Sequence, residues 1–159
     1  MKKKLIPFAL LFSYLLPLVG CGPKSYTITF DPNNGEDVFT IIVKGGTLLE
    51  EPESPSKTAY DFVSWRYNNV KWSFKYETVK SDMTLVASYK PITYDITYDL
   101  SEVDGYIADK NKTNYPDEYT IESKNVLGEA CCYGYNFSHW EDQNGNVISK
   151  LGGIYGDLT

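Results

Sequence analysis

The chain has few of the residues that build metal centres, disulfide frameworks or contacts to nucleic acid. Of its 159 residues only three are cysteine and one is histidine. Its 15 Lys and Arg are outnumbered by 21 Asp and Glu, which gives a formal net charge of −6. This acidic balance argues against nucleic acid as a partner, because binding to phosphates needs a basic stripe that displaces counterions. It argues equally against attraction to an anionic membrane by charge.

Cysteine is too rare for a disulfide scaffold, and its placement does not favour a metal site. Cys131 and Cys132 are adjacent, and a bridge between neighbours is strained because its short ring conflicts with ordinary disulfide geometry. Neighbouring residues on a strand also point to opposite faces, so the two thiols are poorly placed to chelate one ion. We expect one small buried hydrophobe and one exposed or edge thiol.

The single histidine, His139, leaves little for metal or triad chemistry, because both need further partners at set geometry. The sequence contains no HExxH, CxxC or GxSxG pattern. Residues 31–37 read as a turn rather than a calcium loop, since Ile42 stands where an EF-hand needs Glu. We therefore expect His139 to be an ordinary strand residue, with no catalytic residues, no metal and no cofactor. A paired-carboxylate hydrolase stays open, because acids are plentiful, although no local feature selects two of them.

The one long apolar run lies at the N-terminus, where residues 5–19 follow three lysines. This run is shorter than the roughly 20 residues that span a bilayer as a permanent helix. It ends in LVGC at 18–21, which resembles the lipobox L-[ASV]-[GA]-C of bacterial lipoprotein precursors. The resemblance implies a signal peptide over 1–20, lipid attachment at Cys21 and a lipidated tether over 21–25. It places the mature protein outside the cytoplasm, anchored to the bacterial cell membrane or outer surface.

Aromatic residues are abundant, with 14 Tyr, 7 Phe and 3 Trp. Together with many Val, Ile and Thr they favour strands. Apolar residues alternate with polar ones at Tyr26, Ile28 and Phe30, which is the period of a half-buried strand. By the same reasoning, strands are predicted at 26–30, 37–44, 59–67, 70–74 and 83–89, with an exposed connection over 50–57.

Two patterns in the sequence occur twice. Y-x-F-x-x-W occurs at 60–65 and at 135–140, and the alternating opening strand occurs at 26–31 and at 94–99. The two copies of the aromatic pattern lie 75 residues apart, and the two opening strands lie 68 apart. The second copy therefore carries seven extra residues, which we place in the polar stretch 101–116.

These repeats predict a first module over 26–91 and a second over 94–159. Thr159 corresponds to Thr84 of the first copy, so we expect the closing strand of the second module to be missing from this chain. Residues 94–99 should then lack one pairing neighbour. An open edge of this kind invites strand exchange with another chain.

The repeated patterns resemble the internalin B-repeat family, also called Listeria–Bacteroides repeats. Family members open with Y-x-[IV]-x-[FY]-[DN], pass a Gly-Gly turn and a Pro-rich connection, reach G-Y-x-F-x-G-W and close with D-[LM]-T-L-x-A-x-W. The resemblance covers nearly all of the chain after the tether. It implies a β-grasp, ubiquitin-like sheet and use as stalk or adhesive modules on bacterial surface proteins, with no shared catalytic residues. The chain departs from the pattern at Ala59, Ser64, His139 and Tyr89.

Modules of about 65 residues have a marginal core, so large aromatic rings are the expected remedy. Tyr60 and Phe62 share one face of their strand, whereas Trp65 lies on the other face unless a bulge intervenes. Tyr67 and Trp72 stand outside the repeated pattern. We take these two as the candidate interaction surface, because exposed Tyr and Trp are favoured interface anchors.

The sequence thus predicts a mostly β (α+β) chain of tandem β-grasp modules, the second without its final strand. Its predicted role is a non-catalytic cell-surface lipoprotein for adhesion, interaction or spacing. The alternative is a surface-anchored hydrolase or a glycan-binding protein that uses carboxylates or exposed aromatics. Predicted partners are the membrane through the lipid on Cys21 and a host or cell-wall protein or glycan.

Overall fold

A computed structural model describes residues 22–101, 104–108 and 113–159 of the chain. Cys21 and the proposed signal peptide lie outside these residues, as does part of the expected insertion. The described residues form nine β-strands and no helix, so the predicted mostly β chain is confirmed. The strands are β1 (Ser25–Asp31), β2 (Phe39–Lys44), β3 (Tyr60–Tyr67), β4 (Val70–Lys71), β5 (Met83–Pro91), β6 (Tyr94–Asp95), β7 (Glu118–Tyr119), β8 (Trp140–Glu141) and β9 (Val147–Ile148).

Residues 25–91, here the first unit, form one five-stranded sheet in the order β2-β1-β5-β3-β4. The central pair, β1 and β5, is parallel, whereas β2 and β3 flank it in antiparallel pairing. The strand predicted at 70–74 is present over its first two residues as β4, which follows Asn68 and Asn69. Both asparagines have positive φ, 49° and 65°, which suits a tight hairpin turn.

A β-bulge brings the aromatic residues of β3 to one face. The pairing of β3 with β5 shifts between Phe62 and Ser64, which leaves Val63 as the extra residue. The shift turns Trp65 toward Phe62, so that their ring centroids lie 5.9 Å apart. Trp65 is 1% exposed and meets Phe30 edge to face at 5.1 Å. The bulge thus replaces strict alternation and places Phe62 and Trp65 of the repeated motif in the core of the first unit.

Residues 94–159, here the second unit, repeat contacts of the first. The Thr27 amide donates to the Asp82 carboxylate at 2.8 Å, and the Asp95 amide donates to Asp157 at 3.0 Å. Asp95 lies 68 residues after Thr27, and Asp157 lies 75 residues after Asp82, which are the two offsets of the repeat. The remaining pairing is sparse: β6 pairs with β7, and β8 with β9, in two separate two-stranded sheets. Its small buried cluster consists of Ile96, Tyr119 and Leu151.

The pairing around Ile96 corrects one expectation. On one side the Ile96 amide donates to the Asp117 carbonyl at 2.8 Å. On the other side Ile96 forms a parallel bridge with Leu158, as Ile28 does with Met83 in the first unit. The expectation that the whole of 94–99 lacks one neighbour is therefore wrong at Ile96. Residues 97–100 form no strand with any described part of the chain.

The two tryptophans of the repeated motif should differ in their contribution to stability. Trp65→Ala empties a fully buried site in the first unit and should lower its free energy of unfolding by about 3–5 kcal/mol. Trp140→Ala removes a half-buried ring and should cost the second unit less. Hydrogen exchange of amides in each unit measures both values. Val70→Ala, at a residue that is 67% exposed, is the control and should change little. Equal losses for the two tryptophans would contradict this difference in burial.

Candidate functional site

A groove of 760 Å³ lies in the second unit. One wall is residues 96–100, which follow β6, and the other is residues 135–143, which contain the second aromatic motif. Leu127 and Leu158 also line the groove. The walls therefore combine apolar side chains with two stretches of backbone, 97–100 and 136–139, that are not part of a sheet in the described structure. Apolar walls with a few polar groups are the usual make-up of a binding site for a partly apolar ligand.

Three aromatic rings shape this groove. Tyr98 meets Trp140 at 5.2 Å between centroids, and Phe137 meets Trp140 at 5.3 Å. In the first unit the equivalent rings of Phe30, Phe62 and Trp65 make the same pair of contacts, but β5 runs between β1 and β3 beneath them. The same arrangement of rings thus forms a closed core in one unit and the side of an open groove in the other.

The polar atoms of these rings are anchored away from the groove. The indole Nε1 of Trp140 donates to the Gly128 carbonyl at 2.7 Å, and the hydroxyl of Tyr98 donates to the Pro116 carbonyl at 3.1 Å. Burial raises the pKa of Tyr98 to about 12, with smaller contributions from the negative charge of Asp117 and from Tyr115. The two rings therefore present mainly apolar surface to the groove.

A chain of hydrogen bonds runs along the second wall. The hydroxyl of Ser138 lies 2.7 Å from Nδ1 of His139, and Nε2 of His139 lies 2.7 Å from a carboxylate oxygen of Glu141. A neutral imidazole protonated at Nε2 satisfies both contacts, accepting from the serine and donating to the carboxylate. His139 and Glu141 are 40% and 56% exposed. The spacing S-H-x-E was the signal in the sequence for this arrangement, because His139 and Glu141 are two residues apart and such residues share a face of an extended segment.

The structure changes the set of exposed aromatics. Trp72 is 6% exposed and belongs to the core of the first unit, so the expectation that it is an exposed anchor is wrong. Its amide donates to the Trp65 carbonyl at 2.9 Å, because the hairpin after β3 folds the indole back over the sheet. Tyr67 is half-buried against it, with ring centroids 6.4 Å apart. Tyr133 and Tyr135, at 100% and 77% exposure, are the exposed rings beside the groove that sequence reasoning missed.

Tyr135 also differs from its counterpart Tyr60. Tyr60 contacts Tyr89 edge to face at 6.4 Å and lies under the ammonium of Lys57. Tyr135 lines the groove and is mostly exposed. The expectation that the rings of the motif supply the core of each module therefore holds for Phe62 and Trp65 of the first unit and is wrong at Tyr135.

Cys131 and Cys132 are both half-buried and line the groove. The backbone of Cys131 pairs with Tyr106 through two hydrogen bonds of 2.7 and 2.8 Å. The expected division into one buried and one exposed thiol is therefore wrong. Within the described ranges, no group of three or more His, Cys, Asp or Glu side chains is placed to hold a metal ion.

Comparison with known proteins finds similarity to one family over part of the chain. Residues 26–88 match the family model of the Listeria–Bacteroides repeat domain. A protein of Evansella cellulosilytica named "Putative membrane protein" is 28% identical over 124 residues, which are 76% of this chain and 18% of that protein. A second protein of the same organism, named "Putative Gly-rich membrane protein", is 31% identical over 90 residues, or 51% of this chain and 10% of that protein. The chain spans less than a fifth of the length of these relatives. Across the described ranges, none of the backbone forms a helix long and apolar enough to cross a membrane.

The raised pKa of Tyr98 predicts a loss of stability in alkali. Below pH 10 the phenol is neutral in both folded and unfolded chains, so its burial carries no ionisation cost. Between pH 10 and about 12 the unfolded chain loses this proton while the folded chain keeps it, so stability falls as pH rises. In Tyr98→Phe this fall should be shallower.

The measurement is the urea midpoint of the second unit at intervals from pH 8 to 12. At pH 8 Tyr98→Phe should be less stable by about 1 kcal/mol, because it loses the bond to Pro116. Tyr133→Phe, at a fully exposed ring, is the matched control and should follow the unsubstituted protein. If the urea midpoint of Tyr98→Phe fell in parallel with that of the unsubstituted protein from pH 8 to 12, ionisation of Tyr98 would be ruled out as the cause of the alkaline loss of stability.

Proposed function

We propose that this protein is a non-catalytic, surface-associated lipoprotein whose repeat modules serve in adhesion, interaction or spacing outside the cytoplasm. The match of residues 26–88 to the Listeria–Bacteroides repeat domain carries the proposal. The names of the two relatives as membrane proteins support a place at the membrane or surface. The net charge of −6 fits a protein partner or a glycan better than nucleic acid.

The proposed attachment is through lipid on Cys21. The support is the sequence LVGC at 18–21, which follows three lysines and a short apolar run. Diacylglycerol contributes two acyl chains, which suffice for stable anchoring where a single chain is marginal. The membrane is then the first partner of the protein, and the acidic remainder of the chain faces outward.

The proposed architecture is a pair of β-grasp modules. In the first unit the support is the parallel central pair β1 and β5, flanked by β2 on one side and β3 on the other. Residues 45–59 connect β2 to β3 without a helix, so the proposed β-grasp is one reduced to its sheet. In the second unit the support is narrower and consists of the repeated contacts of Asp95 and Ile96.

An interaction role is favoured over a passive spacer by the second unit. A spacer needs closed, self-sufficient modules, and the first unit fits that description, with Trp65 and Leu85 fully buried. The second unit instead presents an open groove beside Tyr133 and Tyr135. Exposed tyrosines next to an apolar groove are typical of surfaces that bind another protein or a glycan.

Replacing Cys21 tests the anchor. In cells grown with a labelled fatty acid, the unsubstituted protein should carry label and sediment with membranes, and external protease should reach it. Cys21→Ser should carry no label and leave the membrane fraction, because serine offers no thiol for the thioether bond. Cys131→Ser is the matched control and should keep both label and location. Labelled Cys21→Ser, or an unlabelled unsubstituted protein, would refute lipid anchoring.

A hydrolase is the second candidate function, and the bonded chain from Ser138 through His139 to Glu141 is the observation that favours it. In such a chain serine is the nucleophile, the imidazole is the base and the carboxylate orients the imidazole. Against it, Glu141 is 56% exposed, whereas the acid of a working triad is buried. We therefore propose that these hydrogen bonds hold side chains in place along the wall of the groove and have no catalytic role.

An ester assay separates the two candidates. We expect hydrolysis of a nitrophenyl ester by the purified protein to be no faster than by its Ser138→Ala variant. His139→Gln controls for slow hydrolysis by an exposed imidazole, which does not need the serine. A burst of nitrophenol, together with a rate that falls tenfold or more in both variants, would establish the hydrolase instead.

A further inference from the structure

The edge of the first sheet at β2 carries exposed apolar side chains. β2 is an outer strand, and its pairing with β1 continues without a bulge from Lys44 to Phe39. Residues 38–43 contain neither proline nor a charged side chain. Val38, Phe39 and Ile42 are 55%, 44% and 77% exposed. Proteins normally protect an edge strand with charges, proline, a bulge or a covering segment, so an apolar edge of this kind is a site for pairing with another chain.

The backbone of β2 directs hydrogen-bonding groups to this edge at alternate residues. In an antiparallel ladder every second pair of residues exchanges hydrogen bonds, and the residues between them direct N–H and C=O outward. The Gly45 amide donates to the Lys24 carbonyl at 2.7 Å, so the bonded pairs are those at odd-numbered residues of β2. Thr27, opposite Ile42, accordingly directs its amide away from β2, to the Asp82 carboxylate at 2.8 Å. The even-numbered residues of β2 therefore face the open edge, where no strand among the described residues pairs with them.

The side chains at even-numbered positions from 36 to 44 are complementary to the same side chains in reverse order. If Thr40 lies opposite Thr40 of a second copy in an antiparallel pair, Val38 of each copy lies opposite Ile42 of the other. Glu36 of each copy then lies opposite Lys44 of the other, and all five residues are exposed. Moving the centre one residue toward the C-terminus would place Val38 opposite Lys44. Moving it toward the N-terminus would place Ile42 opposite Glu36, so the register centred on Thr40 is the favoured one of the three.

The opposite face of the strand fits the same register. Phe39 stacks on Phe30 with ring centroids 4.9 Å apart, yet Phe39 remains 44% exposed. Ile41 is partly buried against the core of the first unit. In the register centred on Thr40, Phe39 of each copy lies opposite Ile41 of the other, which covers the exposed part of the ring and extends the core across the edge. Both faces of the strand are thus self-complementary.

We propose that β2 pairs antiparallel with β2 of a second copy of this chain, about a two-fold axis that passes between the two Thr40 residues. The five strands of each first unit then join in one continuous sheet. A two-fold interface of this kind uses the same surface on both copies. The contact is narrow, so the dimer is reversible and favoured where chains are concentrated. The inference goes beyond the interaction role proposed above, because it concerns the first unit and depends neither on the groove nor on the lipid anchor.

Exchange of charge at the two ends of the interface tests the partner and the register together. Sedimentation equilibrium of the full chain, in a density-matched detergent, should show a monomer–dimer equilibrium. Glu36→Lys should weaken the dimer about tenfold, because it places two lysines opposite each other at both ends, and Lys44→Glu should do the same with two glutamates. An equimolar mixture of the two variants should regain the affinity of the unsubstituted protein, because each variant then meets the opposite charge.

Three outcomes of this experiment would overturn the proposal. They are a chain that stays monomeric at its highest soluble concentration, a dimer that neither substitution weakens, and a mixture that associates no more tightly than its components. Glu36 and Lys44 are exposed, so neither substitution disturbs the core. The recovery expected in the mixture further separates loss of the interface from loss of the fold.

Disulfide trapping tests the position of the two-fold axis. In a chain with Cys131→Ser and Cys132→Ser, Thr40→Cys should form a cross-linked dimer under mild oxidation. The Cα atoms of a hydrogen-bonded antiparallel pair are about 5.5 Å apart, within reach of a disulfide. Ile42→Cys is the matched control and should not cross-link, because its two Cα atoms are offset by four residues, or about 14 Å along the strands.

Two comparisons complete the trapping experiment. Val38→Cys combined with Ile42→Cys should cross-link again, since these residues lie opposite each other across the axis. The chain with both serines and no added cysteine measures any contribution from Cys21. Equal cross-linking of Thr40→Cys and Ile42→Cys, or none from Thr40→Cys, would contradict the proposed register. Both experiments use purified protein, so their failure is distinct from a failure of membrane attachment in cells.

Discussion

The parallel pairing of β1 with β5 is the interaction on which the rest of the first unit depends. It places β5 at the centre, where it bonds to β1 on one side and to β3 on the other. The buried side chains of β5 form the floor on which Phe30 and Trp65 rest. Parallel strands need a long connection, here residues 32–82, so the pairing joins distant parts of the chain and closes the core at once. A unit that contains this strand has a closed core, whereas a unit without it is divided into two separate half-sheets.

The second unit shows the consequence of having only the start of that pairing. Its carboxylate contact from Asp157 and its bridge from Leu158 match those of the first unit, and the aromatic trio assembles at similar distances. Yet Trp140 is half-buried where Trp65 is buried, since no described strand continues beneath it. The rings of Tyr98, Phe137 and Trp140 therefore contact one another without being enclosed in a core. The same motif is structural in one copy and accessible in the other, for a reason that lies outside the motif.

Much of the first unit could be predicted because its signals are local. Alternation at Tyr26, Ile28 and Phe30 predicts β1, and the strands predicted at 59–67 and 70–74 correspond to β3 and β4. The burial of Trp72 could not be read in the same way, because it depends on how the short hairpin folds back over the sheet. The exposure of Tyr135 was missed for a related reason, since a repeated motif predicts repeated burial only where its partner strand is repeated too. The hydrogen bonds that link Ser138, His139 and Glu141 have a signal in the sequence, the spacing S-H-x-E. Their geometry, however, depends on the irregular backbone before β8.

An open groove couples the order of the second unit to whatever occupies it. A unit of about 65 residues is only marginally stable when complete, and an unfilled central position removes both its longest ladder and the burial of its largest rings. An occupant at a hundred times its dissociation constant adds about 2.7 kcal/mol to the folded state, which is a large fraction of the stability of such a unit. The first unit differs because β5 closes it: the strand bonds to both neighbours and covers Phe30 and Trp65, which are each 1% exposed.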